Sequence, residues 1–207
     1  MSTNTTEEGL EAHITQYLVE ENNYILRENK VYENSNCLDT ELFFQFFLST
    51  QPKAVAKLKQ YHKDLYEQKI IKRLNDQIQA KGIIEVLRKG ITDGFTDTKL
   101  NLFYDKPVSS YNTNADALYK ANIFSVMRQV YFSPKNKKSL DMMVFVNGMP
   151  VISFELKNEL TKQNVAHAIK QYKVDRDPNE EIFRLGRLIV NFAVDTEEAW
   201  MCTQLKA

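Results

Sequence analysis

The sequence predicts a mixed α/β (α+β) fold: a helix-rich N-terminal part leads into a mixed central sheet flanked by helices. Three observations predict it. Apolar residues recur at helical spacing through most of residues 6–89. Two almost wholly apolar runs of strand length, Leu140–Val146 and Val151–Leu156, flank an Asn147-Gly148 turn signal. One helical pattern, residues 164–174, separates them from two further strand-like stretches, which gives the sheet a crossover.

Taken in order, Thr5-x-x-Glu8 is a capping box before Leu10, Ile14, Tyr17 and Leu18, so a first helix runs from about residue 6 to 20. Tyr24–Leu26 reads as a short strand. Asp39 is placed to cap a second helix with Leu42, Phe43, Phe46 and Phe47 on its core face. Pro52 suits the first turn of a third, and the pattern stays helical to Lys89, with Gly90 and Gly94 ending it. Leu100, Leu102 and Phe103 suggest a strand, and residues 112–120 a short polar helix or loop. Ile123–Phe132 is rich in β-formers, and Lys135–Lys138 makes a basic turn. After the two apolar runs and the helix at 164–174, residues 187–194 and 199–205 read as strands.

Composition narrows the function classes. The chain has 207 residues, 43% hydrophobic and 26% charged, which excludes a disordered or collagen-like protein. No apolar run approaches a membrane span, and the acidic first 20 residues do not suit a signal peptide. Two cysteines, Cys37 and Cys202, fit neither a disulfide framework nor a zinc cluster, so a reducing cytoplasm is the expected location. Net charge is zero, but its distribution is not even. Residues 7–41 carry nine acids against Arg27 and Lys30, while residues 53–73 carry seven bases against Asp64 and Glu67. This is either a pair of solvated helix faces or one surface that meets phosphate and one that does not.

The chemistry sits in the two apolar runs. Asp141, Glu155 and Lys157 interrupt them, and Glu155 and Lys157, two apart, share one face of a strand. A carboxylate in apolar surroundings needs a compensating cation. A lysine and a divalent metal together supply one, and oxygen ligands without nearby thiolate or imidazole suit Mg²⁺ or Mn²⁺ better than zinc. A strict two-residue turn would set Asp141 opposite Phe154, away from Glu155. A three-residue loop, Val146 to Gly148, would set Asp141 opposite Ser153, diagonal to Glu155 on one face. The chemistry requires a shared face, so the three-residue loop is expected, with Pro150 at an edge or bulged start. Asp141, Glu155 and the backbone carbonyl of Leu156 would then hold Mg²⁺ for phosphodiester hydrolysis. Lys157 would orient the attacking water or neutralise charge developing on phosphorus. The alternative is a structural ion pair of Lys157 with a neighbouring acid.

The run Leu140-Asp-Met-Met-Val-Phe-Val-Asn-Gly-Met-Pro-Val-Ile-Ser-Phe-Glu-Leu-Lys-Asn158 resembles the nuclease core of the R (restriction) subunit of type I restriction-modification enzymes, within the PD-(D/E)xK nuclease superfamily. Ala168-Ile-Lys-Gln-Tyr172, Asp175-Arg-Asp-Pro178, Phe192-Ala-Val-Asp195 and the opening Glu8-x-Leu-Glu11 extend the likeness. The resemblance implies a restriction-endonuclease-like sheet and assigns Asp141, Glu155 and Lys157 as the catalytic triad. Gln171 matches a glutamine that the family follows four residues later with tyrosine. Here that position is Asp175, and Tyr172 stands beside the glutamine instead. Gln171 and Tyr172 are therefore DNA-binding or supporting candidates. Glu11 is a candidate for an acid that some superfamily members place near the metal from the first helix. His167, on the same helix as Gln171, reads as a surface residue.

The resemblance further implies a single endonuclease domain over residues 1–207 (helix-rich 1–95, nuclease core 96–207) as the N-terminal fragment of a larger ATP-dependent translocase subunit. The chain has no Gly-x-x-x-x-Gly-Lys-[Ser/Thr] phosphate loop, so ATP would bind outside it. The expected function is Mg²⁺-dependent cleavage of double-stranded DNA, with Mn²⁺ able to substitute. Sequence recognition would come from the methyltransferase and specificity subunits of the complex. The alternatives are a stand-alone repair or junction nuclease and a non-catalytic docking module.

Overall fold

The computed structural model describes residues 7–109, 111–158 and 163–206. The capping box at Thr5 lies outside them. The elements run α1 (Glu7–Asn22), β1 (Ile25–Arg27), β2 (Tyr32–Glu33), β3 (Leu38–Asp39), α2 (Thr40–Thr50), α3 (Pro52–His62), α4 (Tyr66–Lys81) and α5 (Ile83–Lys89). Next come β4 (Ile91–Asp93), β5 (Thr98–Leu100), α6 (Thr113–Lys120), β6 (Phe124–Tyr131), β7 (Ser139–Val146) and β8 (Met149–Leu156). The chain continues through α7 (Val165–Lys170), a π-helical turn (Gln171–Asp175), β9 (Val190–Val194) and β10 (Ala199–Cys202). The fold is mixed α/β.

Six strands form the main sheet in the order β1-β6-β7-β8-β9-β10. β1 pairs parallel with β6, and β8 parallel with β9 across the α7 crossover; the other neighbours are antiparallel. Alternation of side chains splits each strand between two cores. Val126, Met142, Val144 and Val151 pack against α2 to α5, around Phe43, Phe46, Leu74 and Ile83. Met127, Val130, Met143 and Phe145 face the other way, toward Val165, Ala168, Tyr172 and Phe183. The sheet is thus covered on both faces, as its apolar central strands require.

Local chemistry fixes several joints. The Asp39 carboxylate accepts from the Leu42 amide at 3.2 Å and so caps α2, while Arg27 clamps the same carboxylate from β1. The long helical stretch expected from Pro52 to Lys89 is broken twice. Lys63 takes φ 52° and opens one 3₁₀ turn, and Gly82 takes φ +80° between α4 and α5. Continuous helical spacing did not expose either break, because each flanking helix keeps its own apolar stripe. Gly90 does end α5: a β-carbon there would lie 2.2 Å from the Leu100 carbonyl oxygen. Gly94 instead belongs to the turn of the β4–β5 hairpin. The strand expected at Leu100–Phe103 is the shorter Thr98–Leu100, with Leu102 buried beyond its end.

The β7–β8 hairpin corrects the expected register. The turn is a two-residue Asn147-Gly148 loop, both residues at positive φ, pairing Val146 with Met149 and Phe145 with Pro150. One position further the register shifts, and Val144 pairs with Ile152. The extra residue is a β-bulge, and it reverses the side-chain parity of the rest of β8. Met143 then pairs with Ser153 and Met142 with Phe154, the last pair, and one further step in that register would set Asp141 against Glu155. The shared face was anticipated; the bulge after the turn, not a longer turn, produces it.

Candidate active site

Asp141 and Glu155 project from neighbouring strands toward the layer of α7 and the π-turn. Asp141 is half-buried, and its Oδ2 accepts from the Leu156 amide at 2.7 Å. That bond lies where β7 stops hydrogen-bonding to β8, so a side chain completes the ladder. Glu155 is fully buried. Its Oε1 accepts from Arg176 Nε at 2.7 Å and lies 2.6 Å from Nη2 of the same guanidinium in an ion pair. Its Oε2 is buried with no hydrogen-bond partner. Burial, and next the negative charge of Asp141, push the Glu155 carboxyl up to about 8 against the opposing pull of Arg176.

Lys157 lies just beyond β8, buried to 6% exposure, and its Nζ donates to the Leu156 carbonyl at 2.9 Å. Its own amide donates to the Val194 carbonyl at 2.8 Å, which anchors the end of β8 to β9. Two carboxylates and two cations, Lys157 and Arg176, therefore share one site at the end of the parallel strand pair. An open cleft beside it is lined by Lys157, Gln163, His167, Lys170, Gln171 and Asp175.

The supporting candidates fall into different places. Gln171 begins the π-turn and lines that cleft, with its Oε1 buried and unpartnered. Tyr172 is buried at 5% exposure; its hydroxyl meets Ser153 Oγ at 2.9 Å, and Ser153 donates to Asn191 Oδ1 at 2.7 Å. It therefore sits under the sheet as a support and does not face solvent. Glu11 is also buried, with one carboxylate oxygen on Arg128 and the other on Gln129 Nε2 at 2.9 Å. His167 holds the start of α7 through Asn164 and is exposed. The basic stretch at 53–73 is partly spent internally: Lys57 donates to the Thr96 carbonyl, Arg73 to the Thr92 carbonyl, and Lys72 pairs with Asp76.

Sequence alone gives Arg176, Ser153 and Asn191 no role in the site. Arg176 stands in the charged run Asp175-Arg-Asp, which has the look of a solvated loop. The π-turn returns it to the sheet.

Among the described residues no group of three or more His, Cys, Asp or Glu side chains converges. The donors at the site are two carboxylates and a main-chain carbonyl. That set suits a hard divalent cation that keeps several waters, and Glu155 Oε2 is a buried oxygen without a hydrogen-bond partner. No helix among the described residues is long and apolar enough to cross a membrane.

Fold and site together define an α+β domain of nuclease-like build, with an acidic pair and a lysine at the ends of central strands in a covered mixed sheet. The family model for the type I restriction enzyme R protein N terminus matches residues 4–207, and the chain belongs to that family. That family is the N-terminal part of a restriction-enzyme subunit. No curated protein matches the chain.

Proposed function

We propose that this chain is the Mg²⁺-dependent endonuclease domain of a type I restriction enzyme R subunit, in the PD-(D/E)xK superfamily, and that it hydrolyses phosphodiester bonds of duplex DNA. The observation that carries the proposal is the buried Glu155 Oε2, without a hydrogen-bond partner, beside the charges of Asp141 and Lys157. Burying a carboxylate oxygen without a partner costs about 1–3 kcal/mol or more, and a site that bears this cost is a functional candidate.

Asp141, Glu155 and the Leu156 carbonyl are the residues to hold the ion, with Mn²⁺ able to replace Mg²⁺. When bound, the ion supplies charge neutralisation at the scissile phosphate and makes a bound water more acidic. Lys157 shifts its ammonium from the Leu156 carbonyl to the attacking water or to a non-bridging phosphate oxygen, where negative charge grows in the transition state. Gln171, Lys170 and His167 line the path of the DNA backbone in the adjoining cleft. The chain reads no sequence itself. Recognition belongs to the specificity and methyltransferase subunits, and ATP to a motor outside this chain. The whole of 1–207 acts as one domain.

In the complete restriction complex, Asp141→Ala or Lys157→Ala is expected to abolish cleavage and spare ATP hydrolysis; retained cutting rejects the proposal. The Arg176–Glu155 pair favours a second reading, a docking module whose charges serve only as ion pairs. Calorimetric titration with Mn²⁺ separates the two: no binding, and no difference in Glu155→Gln, supports docking.

A further inference from the structure

We propose that Arg176 is a positioning residue of the metal site, delivered by the π-turn to fix which oxygen of Glu155 is offered to the cation. The inference rests on the reading of Asp141 and Glu155 as ion-holding residues.

The geometry has three parts. First, both Arg176 Nε and Nη2 converge on one oxygen, Glu155 Oε1, so the guanidinium occupies that oxygen and leaves Oε2 alone. Second, Nη2 also donates to the Ser139 carbonyl at 2.7 Å, two residues before Asp141 on β7. One side chain thus ties together the two strands that carry the acidic pair. Third, the guanidinium stacks over the Phe132 ring at 5.2 Å from its centroid, an aromatic shelf that limits its movement. Arg176 is 7% exposed and Glu155 fully buried, so these bonds act where water screens little.

The backbone explains how Arg176 arrives there. After α7 the chain widens into the π-turn, closed by the Arg176 amide on the Gln171 carbonyl at 3.0 Å, an i to i+5 bond. A continued α-helix would rotate each following residue by roughly 100° and spend no extra position on the turn. The widened turn keeps Gln171 at the cleft beside Lys157 and Tyr172 under Ser153 while turning Arg176 back onto Glu155. Outer partners that orient a metal-binding carboxylate are worth roughly 10–100-fold in metal affinity.

The decisive substitution is Arg176→Lys, which keeps the positive charge and loses the fork. Its Mn²⁺ affinity, measured by calorimetry on the full chain, is expected to fall about tenfold or more relative to the native protein, with stoichiometry unchanged. Affinity within about twofold of native in a folded Arg176→Lys overturns the proposal. Circular dichroism melting confirms folding. Should Arg176→Lys fail to fold, Phe132→Leu carries the test by removing the shelf under the guanidinium. A loss of about threefold or more supports the proposal, and unchanged affinity overturns it. Glu155→Gln separates the two levels. If the native chain binds no Mn²⁺, or Glu155→Gln binds as well as native, the metal-site reading fails and this proposal with it. If Glu155→Gln loses binding and Arg176→Lys does not, only the role of Arg176 fails.

Discussion

Asp141 and Glu155 lie one step beyond the last residues paired between β7 and β8, one half-buried and the other wholly so, and the negative charge of Asp141 bears on Glu155. Burial and that charge lift the Glu155 carboxyl from its ordinary 4.5 to about 8. Between those values the folded protein keeps a proton that the unfolded chain has released. Stability is therefore highest below the lower value and falls as pH rises through the window, by on the order of a few kcal/mol in total. The melting temperature of the metal-free protein is expected to drop between about pH 5 and pH 8, and Glu155→Gln to flatten that slope. Added Mn²⁺ at pH 8 is expected to restore the loss, because a bound cation stabilises the ionised form. A melting temperature independent of pH over this range, or equally sloped in Glu155→Gln, would show that the buried carboxyl is not the titrating group.

Lys157 and Asp141 are expected to separate into different roles. Lys157 donates to the Leu156 carbonyl and offers no lone pair, so Lys157→Ala should leave Mn²⁺ affinity within a few-fold of native or tighten it. Cleavage in the assembled complex should be lost, a fall of roughly 10²–10⁴ or more. Asp141→Asn keeps an oxygen for the Leu156 amide, so the strand end stays closed. It loses the negative charge, and Mn²⁺ affinity should drop by about tenfold or more. Parallel calorimetry and cleavage assays decide this; equal effects of both substitutions on metal affinity would remove the distinction.

Glu11 calls for the opposite result. Both its carboxylate oxygens are occupied, by Arg128 and Gln129, which fastens α1 to β6. Glu11→Gln is expected to cost about 1–3 kcal/mol in urea denaturation and to change Mn²⁺ affinity by less than about twofold. A tenfold loss of affinity would instead bring the first helix into the metal site.

Much of this arrangement was legible in the sequence because it obeys local rules. Asp39 before a phenylalanine-rich helix, Pro52 at a helix start and Asn147-Gly148 between apolar runs are each decided by a few adjacent residues. The two acids and the lysine stood out because apolar strands tolerate charge poorly. What remained hidden depends on distant partners. The bulge in β8 is set by which face must meet the helices; Pro150 is compatible with a bulged start but equally with an edge, and so does not place it. The π-turn is one residue of slack in a helical pattern, too small to alter its spacing. Arg176 acquires its role only when that turn folds it back onto a strand 21 residues earlier. The breaks at Lys63 and Gly82 were masked for a similar reason: periodicity survives a change of helix axis.

The hairpin turn that sets the register makes a final prediction about stability. Asn147 is fully buried at φ 50°; its side-chain oxygen accepts from the Ile123 amide at 2.6 Å, and its amide nitrogen donates to the Leu102 carbonyl at 2.8 Å. Gly148 follows at φ +78°, and a β-carbon there would lie 2.4 Å from the Asp39 carbonyl oxygen and 2.6 Å from the Phe43 amide nitrogen. Both neighbours are backbone at the start of α2, itself tied to the turn by the Asp39 amide on the Gly148 carbonyl at 2.9 Å. Neither can yield without moving the helix. Gly148→Ala is therefore expected to cost about 3 kcal/mol or more, from the strained φ and the overlap together. Asn147→Ala is expected to cost about 2–4 kcal/mol, by leaving the Ile123 amide and Leu102 carbonyl without their partner. Gly94 provides the contrast: it has no atom within 4 Å of its would-be β-carbon, so Gly94→Ala should stay within about 0.5 kcal/mol of native. Urea unfolding of the three variants measures the differences. A Gly148→Ala protein as stable as Gly94→Ala would mean that the turn does not pack on α2 as the structure has it.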